Sequence, residues 1–245
     1  MTILPPLNGF FIVHKPLGPS SASVSNHLKW SLKQAGYPKG IKIGHGGTLD
    51  PLASGVLPIG VGKATKHLQA LLDGPKTYTF TVQFGTATTT GDTAGTVTST
   101  SSNRPSPTQI EHSLAQFRGL ITQIPPAFSA LKVGGKRSYE LARAGQTVEL
   151  APRQVTIHSL EIIDSTPNSA TFKAAVSKGT YIRTLAEDIA QALDTVGHTT
   201  VLTRTQHGPF TLEQAVSPEI LDNALKSGDI TAYLHPLDAS PAPQE

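Results

Sequence analysis

The 245-residue chain has no cysteine, so disulfide and thiolate chemistry are excluded. It also has no run of about 18 or more apolar residues, which removes a membrane-spanning helix from consideration. The opening Met1-Thr2-Ile3-Leu4-Pro5-Pro6 carries neither the basic nor the apolar part of a secretory signal. A cytoplasmic setting with no membrane partner is therefore the expectation. Nine histidines fall without His-Glu-x-x-His or similar spacing, so no metal site is expected. Acids are scarce at the start, for Asp50 is the only one in the first 72 residues.

What is present is ordinary globular composition, 38% apolar, in a length that can bury a substantial core. The net charge of +3 hides an asymmetry: residues up to Arg183 hold 18 Lys and Arg against 8 acids, and the remainder holds 2 against 9. Such polarity fits a basic face turned to phosphates, or a set of scattered solvated lysines.

The stretch from Lys42 to Gly60 places five glycines and two prolines around Asp50. Glycine permits tight turns and close approach, while Pro51 biases Asp50 towards an extended backbone and removes the next amide donor. Two readings follow. Asp50 and Pro51 suit a helix start as N-cap and first helical residue, or they form a constrained corner that presents one carboxylate. A phosphate loop fits poorly, because Gly55 to Gly60 is followed by Val61-Gly62-Lys63-Ala64 without the Gly-Lys-Ser/Thr ending.

Elsewhere the pattern gives strands and helices in turn. Gly9 to Val13 is continuously apolar and reads as a buried strand, stopped by Lys15-Pro16-Leu17-Gly18-Pro19. Ser20 or Ser21 caps a helix carrying Val24, Leu28 and Leu32, and another helix carries Ala64, Leu68 and Leu71. Lys76 to Phe84 alternates as a half-buried strand, and Ser106-Pro107 opens a helix with Ile110, Leu114 and Phe117 inward. Gly134-Gly135 marks a hairpin turn within a cluster of Lys132, Lys136, Arg137 and Arg143, which is either a solvated hairpin or a binding element. Arg153 to Asp164 and Ser169 to Lys178 form two further strands, and a helix follows Arg183, where Glu187 at i,i+4 offers an ion pair. Thr199 to Phe210 supplies closing strands.

Separated motifs resemble one family, and the resemblance covers roughly residues 9 to 238. Gly44 to Lys66, with Gly-Thr-Leu-Asp-Pro at its centre, is similar to the catalytic motif of the bacterial tRNA pseudouridine-55 synthases, the TruB family. The first motif is met by Lys15-Pro16-Leu17-Gly18-Pro19-Ser20-Ser21, with His14 where the family usually has Asp. The others are Lys76-Thr77-Tyr78, the long run Gln123 to Gly145, and Lys178-Gly179-Thr180-Tyr181-Ile182-Arg183 with Leu202-Thr203-Arg204 beyond it.

The resemblance implies a pseudouridine synthase fold: α/β, with a mixed, mostly antiparallel central sheet flanked by helices and loops. It implies a catalytic domain over residues 1–236 with an RNA-gripping insertion at about 123–150, a short flexible tail at 237–245, and no C-terminal PUA-type domain. Asp50 would be the nucleophile and Arg183 its charge partner, since a nearby guanidinium keeps a buried carboxylate ionised. His45, Tyr78, Tyr181 and Leu202 would contact the target base or the space it leaves. Lys15, Lys132, Lys136, Arg137 and Arg143 would contact RNA. The implied reaction isomerises uridine 55 in the tRNA T arm by base flipping, with no cofactor, no metal and no obligate protein partner. A tRNA-binding folding helper and an RNA-guided synthase are the rival readings.

Overall fold

A computed structural model describes residues 4–239. The chain forms β1 (Gly9–Lys15), α1 (Ser21–Gln34), β2 (Ile43–His45), β3 (Ser54–Val61), and a 3-10 segment Gly62–His67 that runs into α2 (Leu68–Asp73). It continues through β4 (Lys76–Phe84), β5 (Thr86–Thr88), β6 (Val97–Thr100), α3 (Pro107–Ser113) and β7 (Gly119–Gln123). Next come β8 (Lys132–Val133), β9 (Lys136–Arg137), α4 (Ser138–Arg143), β10 (Arg153–Ser165), β11 (Ser169–Val176) and α5 (Ile182–Ala192). β12 (Gly197–His207), β13 (Phe210–Thr211), α6 (Pro218–Ser227) and β14 (Leu234–His235) follow.

Two compact units result, Met1–Tyr78 with Thr203–Glu245, and Thr79–Leu202. The chain passes between them within β4 and β12.

In the first unit the strand order is β14-β1-β3-β12, with β2 paired to β3 and β13 to β12. β1 and β3 are antiparallel, Phe11 opposite Ile59, whereas β12 runs parallel to β3 through Thr203↔Ser54 and Arg204↔Gly55. β1 is apolar from Gly9 to Val13, where both of its faces are covered. Phe11 and Val13 pack with Val24, Leu28 and Leu32 of α1 and with Leu221 of α6. Phe10 and Ile12 face Val56, Ala64, Leu71 and Phe210. α1 starts where its capping chemistry places it: Ser20 accepts from the Ser23 amide, satisfying a donor that the first turn leaves unpaired. Of the tail expected from Leu237, Leu237–Ala239 form a 3-10 turn, with Leu237 packed against the Phe10 cluster, and residues 240–245 lie outside the described residues.

In the second unit β4, β11, β10 and β7 lie side by side. β10 is antiparallel to both β11 and β7. Phe80 of β4 stacks on Phe172 of β11 with ring centroids 5.3 Å apart. α3 opens on a full capping box from Ser106 and Gln109, with Pro107 in the first turn. Ile110, Leu114, Leu185 and Ile189 are buried. The mixed, mostly antiparallel sheets with flanking helices are those the family resemblance implies. Among the described residues no helix is long and apolar enough to cross a membrane.

Candidate active site

The loop between β2 and β3 is built by pairing on both sides. His45 lies opposite Ile59 on β3, and the Gly46 amide donates to the Pro58 carbonyl at 2.8 Å. Residues 46–53 then leave the sheet and return at Ser54. Asp50 starts a turn rather than a helix, for the Ala53 amide donates to its carbonyl at 3.0 Å and Ser54 already belongs to β3.

Both neighbours of Asp50 are tethered. Leu49 is buried, its amide donating to Ser21 Oγ at 2.7 Å and its carbonyl accepting from the same hydroxyl at 3.0 Å. The Pro51 carbonyl accepts from the Gly18 amide at 2.8 Å and from Lys15 Nζ at 3.4 Å. These tethers occupy the main-chain groups around Asp50, so the helix-start reading fails. The carboxylate itself stays half-exposed at the corner.

Lys15 requires a correction. Expected to contact RNA, it is fully buried, with Nζ donating to the Pro16 carbonyl at 2.8 Å. Burial lowers its pKa to about 8, against an opposing pull from the Asp50 charge and with Arg204 adding to the fall. Bonded in this way, the ammonium braces the loop that carries Asp50.

Arg204 is a second buried cation. Its Nε donates to the Val56 carbonyl at 2.8 Å and its Nη2 to the Gly47 carbonyl at 3.0 Å. Burial lowers the pKa of Arg204, the Tyr78 oxygen opposing. Sequence reasoning named Leu202 and passed over Arg204. The available signal was its place two residues further along the same strand, which puts a charge on the same face. Burial, with the Arg204 charge added, also lowers the pKa of His45, which therefore stays neutral near pH 7, with Nδ1 buried and unbonded. His207, equally unforeseen, donates from Nε2 to the Leu71 carbonyl at 2.8 Å, and its ring would meet any Cβ placed at Gly47.

The second unit holds the remaining candidates. Tyr181 and Arg183 open α5, where Gln123 bonds both the amide and the carbonyl of Tyr181. The Arg153 guanidinium lies 4.7 Å from the centre of the Tyr181 ring. Arg183 is buried and donates to the carbonyls of Thr90 at 2.8 Å and Phe128 at 2.9 Å, with Asp92 Oδ2 3.7 Å from its Nε. Asp92 is thus one acid at ion-pair distance, and its Oδ1 is fixed by Thr90 Oγ1 and the Ala94 amide. Glu187 adds a carboxyl to this group, its pKa raised to about 7 by burial against the pull of Arg183, with Asp188 and Asp92 pushing the same way as burial.

Leu202 is half-buried on β12. Lys132, Lys136, Arg137 and Arg143 are exposed on the β8–β9 hairpin and α4, where Gly134 and Gly135 take φ of 57° and 86° as a two-residue turn requires.

A family model described as TruB family pseudouridylate synthase (N terminal domain) matches residues 32–182. The chain belongs to the TruB family. A second model, the tRNA pseudouridylate synthase B C-terminal domain, matches residues 183–240. The TruB-family relatives include a tRNA pseudouridine synthase B from Novosphingobium aromaticivorans, 50% identical over 95% of this chain and 78% of that protein. Another, from Zymomonas mobilis, is 47% identical over 95% of this chain and 77% of that one. Among solved structures the chain is similar to one described as a Cbf5-Nop10-Gar1 complex, with TM-score 0.72 and 28% identity over 95% of this chain. This chain spans 61% of that one.

Proposed function

We propose that this chain is a tRNA pseudouridine synthase that isomerises uridine 55 of the T arm. The family match and the relatives' names, tRNA pseudouridine synthase B, support pseudouridine formation on tRNA. The observation that carries the residue assignment is the tethered corner at Asp50, a half-exposed residue whose two neighbours are both hydrogen-bonded to other segments.

The reaction breaks N1–C1′, turns the base, joins C5 to C1′, releases the C5 hydrogen as a proton and leaves N1 protonated. One bond is exchanged for another with no net oxidation, so one nucleophile and an enclosure for the freed uracil suffice. Asp50 is the proposed nucleophile. Arg183 is proposed as its charge partner on the strength of the family motif. Tyr78, Tyr181 and Leu202 would wall in the base, and stacking on an aromatic contributes roughly 1–3 kcal/mol. Flipping the nucleotide costs a few kcal/mol of unstacking. Phosphate contacts from Lys132, Lys136, Arg137 and Arg143 would offset it, and His45 would fill the vacated space. Action without a cofactor, a metal or a protein partner, in the cytoplasm, belongs to the same proposal.

The test is release of the C5 hydrogen from labelled, unmodified transcript tRNA. Wild type should release it with no guide RNA, and Asp50→Ala should abolish release while binding persists. A wild type that binds tRNA without release would be the folding helper, and release only with a guide would be the RNA-guided class.

A further inference from the structure

We propose that Arg204 is a positioning residue of the isomerisation, its guanidinium setting the loop that carries Asp50. This rests on the reading of Asp50 given above.

Arg204 is among the largest fully buried side chains of the described residues. Volume alone does not call for a cation there, since an apolar side chain of similar size fills buried space without losing the hydration of a charge. What a guanidinium adds is a planar fork of donors. Nε reaches Val56, Nη2 reaches Gly47 and Nη1 points at the Thr48 carbonyl from 3.5 Å. These carbonyls flank Asp50 on both sides in sequence, so one rigid plane fixes the entry and exit of its loop. The backbone makes the same connection. Arg204 pairs with Gly55 across the β3–β12 ladder, and a Cβ at Gly55 would fall 2.2 Å from the Arg204 carbonyl oxygen.

Arg204 thereby fixes where the loop presents the Asp50 carboxylate. A displacement of about 1 Å in such an arrangement costs roughly 100-fold in rate.

The experiment compares Arg204→Met with Arg204→Lys, a second variant that retains charge without the fork. Single-turnover release of the C5 hydrogen is measured at saturating tRNA, alongside tRNA affinity and the unfolding midpoint. Arg204→Met should slow release roughly 100-fold with affinity nearly unchanged. If Arg204→Met does not fold, the same split between rate and affinity should appear with Arg204→Lys. Rates within about threefold of wild type for the folded Arg204 variants, or a loss of affinity as large as the loss of rate, overturn the proposal. Absence of release by wild type, or release by Asp50→Ala, instead overturns the reading on which it rests.

Discussion

The hydroxyl of Ser21 holds Leu49 by both main-chain groups, accepting from its amide at 2.7 Å and donating to its carbonyl at 3.0 Å. The first turn of α1 is thereby bonded to the residue immediately before Asp50. A buried pair of this kind matters most when broken, because each group left unpaired carries its full desolvation cost.

Ser21→Ala should therefore destabilise the fold by about 1–3 kcal/mol. It should also slow release of the C5 hydrogen by more than the fraction unfolded explains. Chemical denaturation and single-turnover kinetics check this, and an unchanged rate would separate the α1 contact from the chemistry.

Gly55 and Gly18 make a matched pair, with φ of +108° and +102°. A Cβ at Gly18 meets nothing within 4 Å, whereas at Gly55 it would strike the Arg204 main chain. Gly18→Ala should cost only the backbone strain, about 1–2 kcal/mol. Gly55→Ala should exceed it by roughly 2 kcal/mol or more and impair activity, since β3 and β12 must part. Equal losses in denaturant midpoints would contradict the close approach.

Glu187 gives a pH dependence with a definite sign. Its folded-state pKa is raised to about 7, so between its unfolded value of 4.5 and 7 the native state binds more protons than the unfolded state. Its contribution to stability is therefore greatest below about pH 4.5 and is lost as pH rises through 7. Asp188, raised to about 6 by burial, acts in the same direction. Glu187→Gln removes the titration, so its stability relative to wild type should climb from pH 5 to pH 8. A difference constant with pH would refute the burial argument.

The exposed hairpin makes an electrostatic prediction. If Lys136 and Arg137 contact phosphates, replacing either with Ala should weaken tRNA binding and reduce the salt dependence of log K by about one unit. The single-turnover rate at saturating tRNA should hold. Titrations at several ionic strengths decide it, and an unaltered slope would make the hairpin a solvated projection.

Much of this was legible in the chain, for reasons that lie within a few residues of each other. The apolar run at Gly9 to Val13 became β1, Ser106-Pro107 opened α3, and Gly134-Gly135 turned a hairpin. Each rests on local torsional preference or on the period of side chains along a strand or helix. The Asp50 run could likewise be matched to its family from its own residues, although its spacing alone left a helix start open.

Distant segments decided the rest. Asp50-Pro51 could have begun a helix by local preference, and the contacts of Ser21, Gly18 and Lys15 from earlier in the chain prevented it. Lys15 looked like a surface cation and Arg204 like a strand residue of no note, yet both are enclosed around one loop. The ion pair of Arg183 with Asp92 likewise joins residues far apart in sequence. By itself the sequence determined where the backbone turns and which stretches are strand or helix, because those choices are made by neighbours. Only the tertiary structure decided which charges lose their water and which carbonyls receive their hydrogens, because desolvation depends on every segment packed around a side chain.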